Sequence, residues 1–171
     1  MLRKTARDKE PGLSGAWNEG DRAMAQNIVE RKIMWGDLDA LGIVFYPRYY
    51  EWIDGCSHQF FESLNLSLKS LGEERQINFG LIETGCRYFK PGRYHQTIRI
   101  ITQLEELEKK TLLLRHQILL ADDDSQMVEG HEKRLCMDTS DPEKIWARDI
   151  PDDIYMILKN GYNFFTPLYS R

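Results

Sequence analysis

Apolar residues recur at helical spacing through one long segment of the chain. Tyr49, Ile53, Cys56, Phe60 and Leu64 fall three or four residues apart, with Trp52 and Phe61 widening the stripe, which is the repeat of one helix face. Arg48, Glu51, His58 and Glu62 leave only a narrow polar edge. A helix so apolar is expected inside the embrace of a sheet rather than on the surface. Pro47 suits the first helical position, where its missing N–H costs nothing. The helix is therefore predicted from Pro47 to about Leu64, roughly 27 Å at 1.5 Å per residue. Ahead of it, Ile28 to Trp35 reads as a first strand. An Asp37–Gly42 loop follows, and Ile43, Val44 and Phe45 continue into the helix start.

Downstream, residues 66–75 read as a short second helix. Four strand-like segments come next: Phe79–Phe89, Gln96–Leu107, Lys110–Ala121 and Gln126–Asp138. Pro91-Gly92 separates the first two, and the run Asp122-Asp123-Asp124-Ser125 reads as a hairpin turn. Asp152 to Lys159 is expected to be helical. Long strands joined by tight connections argue an antiparallel meander. The predicted class is α+β, one antiparallel sheet wrapped around one long central helix. Such a sheet needs its other face or its edges covered, so a homo-oligomer is expected. Residues 1–26 are polar, carry Pro11, Gly12, Gly15 and Gly20 and show no period. They are expected to be a flexible leader ahead of a single domain, 27–171.

Composition narrows the function classes. With 171 residues and a hydrophobic fraction of 42%, the chain can bury one core. A net charge of -4 argues against nucleic acid and against an anionic membrane surface as partners. No apolar run approaches the roughly 18 residues needed to span a bilayer. Arg3, Lys4 and Arg7 have no apolar run behind them, so no secretory signal is expected. Cys56, Cys86 and Cys136 form no CxxC spacing, and a reduced, cytoplasmic setting is the simpler reading. No His/Cys/Asp cluster has metal-ligand spacing.

The chemistry concentrates between Trp35 and Asp54. Two carboxylates, Asp37 and Asp39, precede a buried helix start. A carboxylate can attack a carbonyl or activate water. The free N–H groups and positive dipole end of a helix N-terminus can hold an oxyanion. Taken alone, an Asp in such a loop is ordinarily a cap or turn former. The whole pattern is more specific: D-x-D-x-x-G-x-V-x-Y-P-x-Y-x-x-W-x-D, here Asp37, Asp39, Gly42, Val44, Tyr46, Pro47, Tyr49, Trp52 and Asp54. It resembles the hotdog-fold thioesterases, and among them the 4-hydroxybenzoyl-CoA thioesterase type. A weaker resemblance extends over residues 28–157, including Tyr88-Phe89-Lys90-Pro91 and the segment from Lys109-Lys110-Thr111 to Arg115-His116.

That resemblance implies a helix wrapped by an antiparallel sheet, two protomers joined edge to edge, and commonly a tetramer. It implies hydrolysis of an acyl-CoA thioester in a cleft at the dimer interface. Asp39 would be the catalytic carboxylate, as nucleophile or general base, and the Tyr46 backbone N–H would polarise the thioester carbonyl. Hydrolysis by a carboxylate beside a helix N-terminus would require neither metal nor organic cofactor. Pro47 would fix that helix start, and Gly42 would let the loop turn or the substrate approach. Lys109 and Lys110 match a basic pair that contacts the nucleotide end of CoA, with Lys90, Arg93 and Arg115 as lesser candidates for its phosphates.

Asp37 is expected to cap the loop or orient Asp39, and Asp54 to be a buried hydrogen-bond acceptor. Tyr49 and Trp52 are expected in the core or interface. His58 is expected to be solvated, and His116 and Cys56 to be structural. Ala40-Leu41, His95-Gln96 and the Pro47 that stands where some relatives carry His depart from the family pattern. They leave the acyl group open between aromatic and short or medium chains. Two other uses of the same fold remain: hydrolysis of acyl groups on a carrier protein, and non-catalytic acyl-CoA binding.

Overall fold

The computed structural model describes residues 25–161. Its elements in chain order are β1 (Gln26–Lys32), α1 (Pro47–Ser63), α2 (Leu68–Arg75), β2 (Ile77–Tyr88), β3 (Thr97–Leu107), β4 (Thr111–Leu120), β5 (Gln126–Asp138), β6 (Trp146–Ala147) and α3 (Asp152–Asn160). The strands form one antiparallel sheet in the order β1-β3-β4-β5-β2, with β6 pairing β5. This is the expected α+β arrangement, a sheet with one long helix on its inner face. β5 has the predicted limits, and most other ends agree within two residues, the scatter of fraying termini. β1 stops earlier, at Lys32, because the chain tightens into a 3-10 turn at Trp35–Asp37. Two residues of the expected leader are in fact placed: Ala25 is buried and Gln26 opens β1. Residues 1–24 and 162–171 lie outside the described residues. The two-residue β6 is too short to leave a period in the sequence.

Alternation along β3, β4 and β5, interrupted by bulges and by the adjacent buried pair Met127-Val128, turns nearly every second side chain inward. The helix answers with buried Tyr49, Trp52, Ile53, Cys56, Ser57, Phe60 and Phe61. Two apolar clusters result. One lies under the N-terminal half of α1, around Ile33, Ile53, Ile98, Ile100 and Ile118. The other lies under the C-terminal half, around Phe60, Phe61, Leu112, Leu114 and Ile154 of α3.

A polar layer crosses the core between them. Ser57 of α1 donates to Glu132 of β5, and His116 of β4 sits beside Ser57 at 3.5 Å and Thr102 of β3 at 3.0 Å. Arg134 donates to Glu132 at 2.9 Å and to Asp54 of α1 at 2.6 Å. Ser57, Thr102, His116, Glu132 and Arg134 are all buried, so each group depends on its neighbours for the hydrogen bonds that water would supply. His116 and Cys56 are structural, as expected. Burial pushes the Cys56 thiol up to about 11. Asp54 accepts a hydrogen bond as expected, but its side chain is 49% exposed rather than buried, because it reaches Arg134 from the rim of the layer. His58 is exposed, 3.8 Å from Asp54.

Burial, with Arg134 and His131 nearby, lowers the His116 pKa to about 3. As pH falls through the ordinary value near 6.5, the unfolded chain binds a proton that the folded chain does not. The stability contributed by neutral His116 is therefore present above that pH and is lost progressively toward 3. The carboxylates with lowered pKa values, including Asp138 and Asp149, lose their contribution only below the ordinary carboxylate range. Urea midpoints should fall between pH 7 and pH 5 in the wild type, and this limb should flatten in His116→Gln.

Candidate active site

The loop carrying the two carboxylates is a small hairpin. Leu38 and Val44 form an antiparallel bridge, the Asp39 N–H donates to the Ile43 carbonyl at 2.8 Å, and the Gly42 N–H donates to the Asp39 carbonyl at 3.0 Å. Gly42 has φ +71. A three-residue loop that ends on a left-handed residue has this geometry, and glycine adopts that conformation without the penalty a Cβ brings. The Asp39 carboxylate accepts the Leu41 N–H at 2.8 Å through Oδ1. Asp39 is half-buried, and Leu41 is 78% exposed and points away from the core.

Three backbone contacts aim this hairpin. The Phe45 N–H donates to the Asp37 carbonyl at 2.9 Å, immediately before α1. The Val44 N–H donates to the Gly92 carbonyl at 2.9 Å, and Ile43 bridges Arg93. Thus the β2–β3 connection folds back onto the hairpin. Gly92 permits this, since a Cβ there would meet Val44 Cγ2 at 2.7 Å and Ile33 Cδ1 at 2.9 Å. Tyr46 stands at the cap position of α1 with Pro47 as its first residue. Among the described residues its N–H has no hydrogen-bond acceptor, the ordinary condition of a helix's first donors.

Asp39 and Tyr46 line the same cleft, about 300 Å³ in volume. Ile43 and Tyr49 line it beside them, and Tyr88, Phe89 and Lys90 form the opposing wall. The Tyr49 hydroxyl accepts the Gly92 N–H at 3.2 Å, and its ring packs on Trp52 and Tyr88 with centroids 5.2 and 5.6 Å apart. Burial raises the pKa of Tyr49, and of Tyr88 with help from Cys86 and Tyr50. Both walls are therefore neutral, apolar bodies with a polar tip. Tyr49 is a core residue, as expected, and also a wall of the cleft. In the sequence, Tyr88 and Phe89 carry part of the family resemblance and end a strand-like run, but neither signal gives them a role as a cleft wall.

Of the remaining candidates, two adjoin the cleft and the two lysines do not. Pro47 is at the helix start and Gly42 in the hairpin. Lys109 and Lys110 occupy the β3–β4 turn. The cleft end of β3 is Thr97, paired with Lys32, so the two lysines lie at the opposite end, roughly 33 Å along an eleven-residue strand. Both face Asp149, at 2.8 Å for Lys109 and 3.8 Å for Lys110, and this ion pair raises the Lys109 pKa. Arg115 projects from the outer face of the sheet, held by Glu105 and Glu129. Lys90 is part of the cleft wall, and Arg93 bridges Ile43 of that wall. No group of three or more potential metal ligands occurs among the described residues, and none of their helices is long and apolar enough to cross a membrane.

Comparison with known proteins matches this arrangement. The family model described as "Thioesterase-like superfamily" matches residues 33–156. The chain is 24% identical over 135 residues to the 4-hydroxybenzoyl-CoA thioesterase of Pseudomonas sp. strain CBS-3, covering 76% of this chain and 96% of that protein. The solved structure of that enzyme superposes with a TM-score of 0.71, covering 78% of this chain and 99% of the other. A gentisyl-coenzyme A thioesterase structure is 30% identical with a TM-score of 0.66, covering 75% of this chain and 98% of the other. With the helix, the wrapped sheet and the family pattern in agreement, the chain belongs to the thioesterase-like superfamily of the hotdog fold.

Proposed function

We propose that the protein hydrolyses an acyl-CoA thioester with Asp39 as its catalytic carboxylate. Membership of the superfamily makes the chain a thioester hydrolase, and its relatives are named for acyl-CoA substrates. The observation that carries the assignment of Asp39 is its position in one cleft with the N-terminus of α1. A thioester carbonyl placed there would direct its oxygen at the Tyr46 N–H, where the helix end favours negative charge. Asp39 would then attack the carbonyl carbon, expelling the CoA thiolate and leaving a mixed anhydride for water to open. In the other form of the reaction, it would take a proton from water as that water attacks. Either way the C–S bond breaks, the thiolate takes up a proton, and the free acid leaves. Gly42 and Pro47 serve by shaping the loop and the helix start.

The aromatic walls favour an aromatic or a short to medium acyl group. Lys90 and Arg93 are the cations beside the cleft in the same chain. A contact between the nucleotide end of CoA and Lys109-Lys110 requires a second protomer that presents its β3–β4 turn. The free edge of β2 favours such an assembly, a dimer or tetramer, because Leu81, Ile82, Tyr88 and Phe89 on or beside that strand are exposed and an open edge invites pairing. Three free thiols fit a reducing, cytoplasmic compartment.

A thiol-release assay across aromatic, short and long acyl-CoAs tests the activity. In Asp39→Asn, kcat should fall by at least about 10²-fold, the lower range for a positioned proton acceptor, with circular dichroism and oligomeric state unchanged. Near-full activity in that variant would overturn the role of Asp39. Thioester turnover only on an acyl-carrier protein would move the substrate class. Gly42→Val should cost about 1–2 kcal/mol in urea unfolding, the penalty for a left-handed branched residue. It should also lower kcat, because the turn that presents Asp39 opens.

A further inference from the structure

We infer that Arg31 is a positioning residue for the catalytic loop, acting through Asp37; the inference rests on the thioesterase reading of Asp39. Position 31 is an inward-facing site of β1, in register with Ile98 and following Val29, which pairs with Ile100. The alternation calls for an apolar side chain there. Arg31 instead lays its guanidinium over the buried ring of Trp52 in α1, 4.1 Å from the centroid. Its buried Nε finds no hydrogen-bond partner among the described residues. A leucine or methionine would cover Trp52 without leaving a buried donor unpaired. What the arginine adds is charge, and that charge meets the Asp37 carboxylate at 3.7 Å, with the Asp37 side chain only 13% exposed.

Asp37 is the hub of the loop. Its Oδ2 accepts the Met34 N–H at 2.8 Å, while its own N–H donates to the Met34 carbonyl at 3.1 Å, closing the 3-10 turn from both sides. Its carbonyl accepts the Phe45 N–H. One residue thereby ties the end of β1 to the start of α1, and Asp39 lies two residues further on. The other cation near this turn, Arg48, is engaged by Glu51 at 2.7 Å and by the Gly36 carbonyl at 3.3 Å. Arg31 therefore links three elements, β1, α1 and the loop, and holds the loop through a partly buried ion pair, its own side chain 35% exposed and that of Asp37 13%. Such a pair is screened less than an exposed one.

The test compares Arg31→Met, Arg31→Lys, Asp37→Asn and the Arg31→Met/Asp37→Asn double variant by steady-state thiol release. Hydrogen exchange over residues 34–46 is followed in the same proteins. Arg31→Met should lower kcat by about ten-fold or more, as misplacement of a reacting group does, with KM changing by less than about two-fold. Asp37→Asn should match it, and the double variant should lose no more than either single one. Arg31→Lys should recover most of the rate because it keeps the charge. Exchange should accelerate in the Met and Asn variants and stay near wild type in Lys. Three results would each overturn the proposal: wild-type kcat in Arg31→Met, a Met variant faster than the Lys variant, or losses that multiply in the double variant. Should the wild type release thiol from no acyl-CoA, the thioesterase reading falls, and the exchange data alone decide whether Arg31 locks the loop.

Discussion

The anchoring of α1 on the inner face of the sheet sets where its N-terminus points, and the candidate chemistry lies at that N-terminus. Two kinds of contact hold the helix. The apolar stripe from Tyr49 to Phe61 supplies most of the burial, but apolar contacts are non-directional and tolerate a small slide. The polar layer does not. Ser57 must reach Glu132, and Asp54 must reach Arg134. A displaced helix would take the Ser57 hydroxyl from buried Glu132 and Asp54 from buried Arg134, although the Glu132–Arg134 pair within β5 would persist; a hydrogen bond to a charged group contributes about 1.5–3 kcal/mol. The layer thus fixes the register of a helix that the hydrophobic effect alone would hold loosely.

From that fixed helix the loop is built outward. Pro47 starts α1, Phe45 is tied to Asp37, and Val44 is tied to Gly92. The hairpin that carries Asp39 therefore leans on the helix start on one side and on the β2–β3 connection on the other. Arg31, stacked on Trp52, joins the same frame from β1. The half-buried carboxylate and the first free N–H of the helix reach one cleft without any element having to move.

How much of this was legible in the sequence follows from which patterns are local. The α1 stripe and the long alternating strands are periodic, so the helix start at Pro47 and both ends of β5 could be read directly. That Asp39 and Tyr46 line one cleft was within reach of the sequence because both residues lie in one short motif. The polar layer was not. Ser57 looks like one small polar residue in an apolar face, and Glu132 and Arg134 look like ordinary charges in a strand. Only the pairing of β4 with β5 and the seat of α1 show that they face inward together. The cleft wall of Tyr88 and Phe89 was hidden for the same reason, since it depends on the β2–β3 connection folding back on the hairpin, Gly92 onto Val44 and Arg93 onto Ile43, far apart in the chain. Conversely, Lys109 and Lys110 resemble a substrate-binding pair in sequence, which carries no distance, and within one protomer they sit at the far end of the sheet.

The central claim is that a thioester carbonyl lies between Asp39 and the Tyr46 N–H at the start of α1. The most direct measurement is a crystal structure of the Asp39→Asn protein bound to an intact acyl-CoA. The account predicts the carbonyl oxygen at about 3 Å from the Tyr46 nitrogen, the geometry of an oxyanion donor, and the carbonyl carbon about 3–3.5 Å from the residue 39 side chain, a near-attack distance. A thioester bound outside the cleft, or with its carbonyl turned away from the helix N-terminus, would contradict it.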